Sequence, residues 1–144
     1  MKPQNFSNHA RLVPGFHFVT GLLIIAILIL SVINLFTVAG TPLWIYTGLI
    51  PVLLCVSIIL VGFYARSFAL KAQDRAIRAE ENFRHFILTG KQLPAALKMG
   101  QIIALRFAPD EELLPLAARA IKENLNAKQI KQSIVNWKAD THRA

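Results

Sequence analysis

"VGFYARSFALKAQDRAIRAEENFRHF", Val61 to Phe86, decides the fold. It leaves an apolar stretch, gathers charge, and after Gly62 holds neither Pro nor Gly until Thr89-Gly90. A helix that begins among apolar residues therefore continues well past them. On the N-terminal side, no Lys, Arg, Asp or Glu occurs from Leu12 to Ala65, and all eight acidic residues lie at or after Asp74. A charge-free run of that length is not a water-soluble surface. It suffices for two bilayer crossings, each needing about 20 apolar residues. The expected fold is an all-α membrane protein: a two-helix transmembrane hairpin, its second helix extended into the cytoplasm, then a small helical tail domain.

The expected segments are an N-terminal segment (1–15), a first span (16–38), an external turn (39–42), a second span (43–64), a helical extension (65–90) and a small helical domain (91–144). The first apolar run exceeds the roughly 7–15 residues of a signal-peptide core, and no clean A-x-A site follows it. Cys55 is the single cysteine of the 144 residues, which excludes an internal disulfide. Lys2 and Arg11 flank the first span, and Arg66, Lys71, Arg75, Arg78 and Arg84 follow the second, whereas the turn "AGTP" carries no charge. That distribution predicts that both termini face the cytoplasm, with only the turn outside. The net charge of +8 is then explained by anionic lipid headgroups, met by Arg66, Lys71, Arg75 and Arg78.

Within the second span, Thr41 reads as an N-cap and Pro42 as the first helical residue. Pro51 lies inside the helix, lacks an N–H, and frees the carbonyl of Thr47. With the turn centred on Gly40 and Thr41, Asn34 lies level with Thr47 and Gly48. An amide in hydrocarbon needs a partner, so Asn34 is expected to make an intramembrane polar contact there. Gly48, Cys55, Gly62, Ala69 and Ala76 recur every seven residues, and Ala65, Ala72 and Ala79 keep the same spacing three positions on. This is a helix-packing seam of small side chains that passes the end of the apolar run without losing phase. Beyond that end, Phe68, Phe83 and Phe86 widen it and call for burial. On the other face, Asp74 with Arg78 and Glu80 with Arg84 are spaced for i,i+4 pairs.

The tail shows short helical signals. "LPAALKMG" closes at Gly100, "QIIALRFAPDEEL" ends its apolar run at Pro109, and "PLAARAIKENL" places Pro115 at a first helical position. The last segment opens with Asn126 as N-cap and Gln129 three later, a capping box. So small a helical unit is marginal alone and is expected to dock on the long helix, a partner chain, or both. Asp110-Glu111-Glu112 reads as a helix start rather than a metal cluster, since successive acids on a helix diverge and favour its N-terminus. His9 and His17 invite a haem or quinone reading. An axial pair needs two imidazoles facing one cofactor, so interfacial anchoring is the simpler role. No metal or cofactor is expected.

"ALRFAPDEEL", "QDRAIRAEE" and "IKQSIVNWKAD", with the opening "QNFSNH", are similar to an uncharacterised family of small two-span membrane proteins. That family is common in Bacteroidota and defined as a domain of unknown function. The resemblance covers nearly the whole chain. It implies two spans and a cytoplasmic tail, with no activity, ligand or site residue to carry over. One position departs from it, Pro109, where a Ser N-cap is expected.

No glycine-rich phosphate loop, metal spacing or nucleophile–base pair is present, so the chain reads as non-enzymatic. The leading expectation is an inner-membrane subunit or scaffold, partnered by lipids and by other membrane subunits or further copies of itself. The alternative is a membrane-tethered regulatory or nucleic-acid-binding module. "PLAARAIKENLNAKQIKQSIVNWKAD" loosely resembles a helix-turn-helix, but it lacks the usual turn Gly and an Arg placed for base readout.

Overall fold

Two prolines and two glycines divide the chain. The computed structural model describes residues 4–9 and 12–140, and those residues form five helices and no strand. Lys2 and Arg11, used above for orientation, lie outside them. Helix α1 (Gly15–Thr37) starts directly after Pro14, and helix α2 (Trp44–Thr89) runs for 46 residues. The short helices are α3 (Met99–Leu105), α4 (Asp110–Lys122) and α5 (Ala127–Ser133). The described residues cluster into two compact units, 12–69 and 70–140 with 4–9. They are called the hairpin and the head below. The N-terminal segment and the later part of α2 thus belong to the same body as the tail.

In the hairpin, α1 ends at Thr37, and Gly40 turns the chain with φ +81°, a conformation that only Gly adopts cheaply. Thr41 does not cap α2. Its hydroxyl donates to the Val38 carbonyl at 2.8 Å, closing the end of α1, and α2 begins at Trp44 after Leu43. Both long helices open with a π-helical stretch, Gly15–Thr20 and Trp44–Leu49. The second immediately precedes Ile50-Pro51, where the missing proline N–H disturbs the regular ladder. Both helices are long and apolar enough to cross a membrane.

In the head, Gly90 stops α2 with φ +69°, its N–H donating to the Phe86 carbonyl. The chain then folds back on α2. His85 Nδ1–H donates to the Lys91 carbonyl at 2.8 Å, and the Leu93 N–H donates to Asn82 Oδ1 at 2.8 Å. "LPAALKMG" is therefore a turn leading into α3, and Gly100 lies inside α3 instead of ending a helix. Helix α4 starts at Asp110, five residues before Pro115. Pro115 thus falls inside it, which is tolerated because Pro115 and Glu111, whose carbonyl loses its donor, are both exposed. Asn124 at φ +48° ends α4, with Leu125 N–H reaching the Ala120 carbonyl. Asn126 and Gln129 form the expected capping box of α5, at 3.0 and 2.8 Å.

The head's core is built from α3, α4, α5 and Ile77 of α2. Phe107, Leu105, Leu113 and Ile130 are its largest fully buried side chains, each contributing about 1.5–3 kcal/mol. Gln101 is buried among them with its amide satisfied. Nε2 donates to the Ala120 and Leu125 carbonyls, and Oε1 accepts from the Lys98 N–H. The tail therefore docks on the chain's own long helix.

Candidate helix-packing interface

The seam residues divide into covered and uncovered ones. Gly48 is buried in the hairpin, and a Cβ added there would meet Val38 Cγ2, Leu35 Cδ1 and the Leu35 Cα at 3.0–3.2 Å. A side chain there would have to push these neighbours back by a few tenths of an ångström. Cys55 is buried one heptad on, its thiol directed at the Ile24 carbonyl at 3.6 Å. Asn34 lies beside them, and its Nδ2 donates to the Thr47 carbonyl, the one deprived of its helical donor by Pro51. Asn34 is half-buried, whereas Ser31 is a buried polar residue of α1. Its burial is not legible in the seam spacing, which lies on α2.

Further along α2 the pattern changes. Gly62 is exposed, and nothing lies within 4 Å of a Cβ added there. Ala65 and Ala69 in the hairpin are exposed as well, as are Ala72, Ala76 and Ala79 in the head. Phe68, Phe83 and Phe86, whose apolar rings call for burial, are also exposed. Successive residues of a helix turn by about 100°. In the head this puts Ile77, Glu81, Arg84 and His85 on one face of α2 and the alanine–phenylalanine face on the opposite side. The head covers the first face and leaves the second bare.

The covered face is held by a charged cluster. Arg84 Nη1 bonds Glu81 Oε2 at 3.1 Å, Nε and Nη2 bond Asp110 Oδ1 at 2.6 Å, and Nη2 also donates to the Ala108 carbonyl at 2.8 Å. Arg84 therefore turns to the head and not to Glu80, because Asp110 and the Ala108 carbonyl offer it two further acceptors. Burial pushes the Glu81 carboxyl above its ordinary 4.5, against the opposing pull of Arg84 and Lys138. Beside it opens a cleft of ≈ 220 Å³ lined by Glu80, Glu81, Arg106, Lys138 and Asp140, among others. The Arg106–Asp140 ion pair at 3.0 Å closes one wall.

The acidic run is also occupied. Asp110 serves Arg84, and Glu112 accepts the Val135 and Asn136 N–H groups at 2.9 and 2.8 Å, pinning the C-terminal strap. Pro109 provides no side-chain cap, so α4 relies on these acids at its N-terminus. His9 is part of the head's aromatic cluster, near Phe6, Phe107 and Trp137. Its Nε2 faces Lys131 Nζ at 3.1 Å and its Nδ1 faces the Phe6 carbonyl at 2.7 Å. His17 engages its own backbone turn at Val13. The two imidazoles belong to different units, and His9 packs within the head's aromatic cluster. Helix α5 is seven residues long, with its Ile130 and the following Ile134 in the core.

A family model described as a family of unknown function (DUF6526) matches residues 1–144. The chain belongs to that family. No curated protein and no solved structure matches it. Family membership thus extends over hairpin and head together and assigns no activity to either. The site is defined by its geometry: a bare helix face on α2 behind a firmly docked head.

Proposed function

We propose that the chain is a two-span protein of a bacterial cytoplasmic membrane, a non-catalytic subunit or scaffold that packs partner helices along α2. The membrane reading is supported by exposure. Only 6% and 11% of the most apolar windows of α1 and α2 are buried within the chain, whereas the core helix of a soluble protein would be covered. Lipid supplies that cover. Arg66 and Lys71, exposed in the turns after Tyr64, meet anionic headgroups, and Arg75 and Arg78 extend the same positive field. The basic flanks on both spans favour termini on the cytoplasmic side.

The scaffold reading is carried by one observation. α2 is uninterrupted from Trp44 to Thr89, and its small-residue and phenylalanine face stays exposed from Gly62 to Phe86. A helix face smooth enough for close approach accepts another helix at a fixed register. The test is affinity purification in mild detergent from the native membrane. Gly62→Leu and Ala69→Leu are expected to lose the co-purifying chain, at roughly 1–3 kcal/mol each, while Arg78→Gln keeps it. Normal assembly of both leucine variants together with failure of Arg78→Gln would show that the protein acts through charge and not through packing.

A further inference from the structure

The bare face of α2 within the head has a repeat that selects its occupant. Taking Ala76 and Phe83 as the a positions of a heptad puts Ala72, Ala79 and Phe86 at d. The head then occupies b, c and f, through Ile77 and Arg84 at b, His85 at c and Glu81 at f, and reaches one g position, Asn82. The a/d face is left with Phe83 and Phe86 at 64 and 51% exposure, and Ile87 beside it at e is 66% exposed. A strict seven-residue repeat matches a supercoiling helix, not an irregular surface. Exposed aromatics spaced in that phase mark the contact line.

The flanking charges name the second helix. Arg75 is at g and Glu80 at e, and among the described residues neither forms an ion pair. In a parallel two-stranded pair, the g residue of one helix meets the e residue five positions later on the other. Arg75 and Glu80 are five apart. Two identical helices side by side therefore form the Arg75–Glu80 pair twice, once from each chain. Turned antiparallel, g faces g and e faces e, and the opposite charges part. We infer that this face is the interface of a parallel homodimer, with a second copy of the chain covering Ala76, Ala79, Phe83 and Phe86. This deepens the scaffold reading and rests on it, since two copies held in one membrane have their α2 helices parallel.

The experiment is disulfide scanning of the full chain in native membranes, on a Cys55→Ser background. Ala76→Cys, Ala79→Cys and Phe83→Cys are expected to cross-link to dimers under mild oxidation, whereas Lys71→Cys at c and Leu88→Cys at f are not. Arg75→Glu is expected to weaken the dimer roughly three- to tenfold, with Glu80→Arg in the same chain restoring it. Absence of a homodimer band at all three seam positions overturns the inference. Equal cross-linking at seam and control positions, or a cross-link to a different protein, also overturns it. If the Cys55→Ser chain sediments with membranes and retains a different partner in mild detergent, the scaffold reading survives that failure. Recovery of the chain in the soluble fraction would remove both.

Discussion

Glu81 and Arg84 show how one pair of side chains ties the head to α2. Glu81 is buried and Arg84 nearly so, and the carboxyl is held above its ordinary 4.5 chiefly by desolvation. A raised carboxyl value means that the folded head keeps a proton at pH values where the unfolded chain has lost it. That contribution to stability is complete below 4.5 and disappears as pH rises through the folded value. Glu81→Gln should therefore flatten the stability–pH curve just above 4.5, read as the difference between melting curves of the two full-length chains in detergent. A variant with the wild-type slope would remove Glu81 as its source. Arg84→Ala is the harsher change, since it strands the Glu81 carboxyl and the Ala108 carbonyl together. It should cost roughly 3 kcal/mol, visible as early melting of the head.

At the scale of elements, spacing made some features legible and hid others. The helical class, the stop at Gly90 and the capping box at Asn126 follow from local chemistry, which acts wherever the residue occurs. Positions where two candidate partners compete were not readable. Thr41 looks like a cap for the helix after it, yet its hydroxyl is nearer the Val38 carbonyl behind it. Glu80 is well spaced for Arg84, but Asp110 lies across the docking face and wins. Pro115 suggested a helix start, which the acids at Asp110–Glu112 had already provided. The seam positions are visible as a repeat, but cover is a property of the opposing surface. Gly48 meets the Leu35 backbone, and Gly62 meets nothing in this chain. The two glycines should therefore respond differently. Gly48→Ala pushes Leu35 and Val38 back and should cost roughly 1–3 kcal/mol of hairpin stability. Gly62→Ala should cost the isolated chain nothing measurable. Thermal stability of the two variants in detergent at dilution distinguishes them, and equal losses would show that α2 packs alike along its length.

For the whole molecule, the proposal joins two bodies with different solvents. Most large apolar side chains of the hairpin are exposed, and its buried residues are Ser31, Gly48 and Cys55. The head, by contrast, has a closed core, a satisfied buried amide and its charged cluster on α2. Such a chain fits a protein whose hairpin is solvated by lipid and whose head is solvated by water. Everything proposed about headgroups, partner helices and the parallel dimer depends on that arrangement. The direct measurement is labelling of single cysteines, on a Cys55→Ser background, with a membrane-impermeant maleimide in intact cells and in permeabilised cells. Thr41→Cys, at the turn, should label from outside in intact cells. Gln132→Cys, exposed in the head, should label only after permeabilisation. Labelling of Gln132→Cys in intact cells, or protection of Thr41→Cys there, would contradict the account.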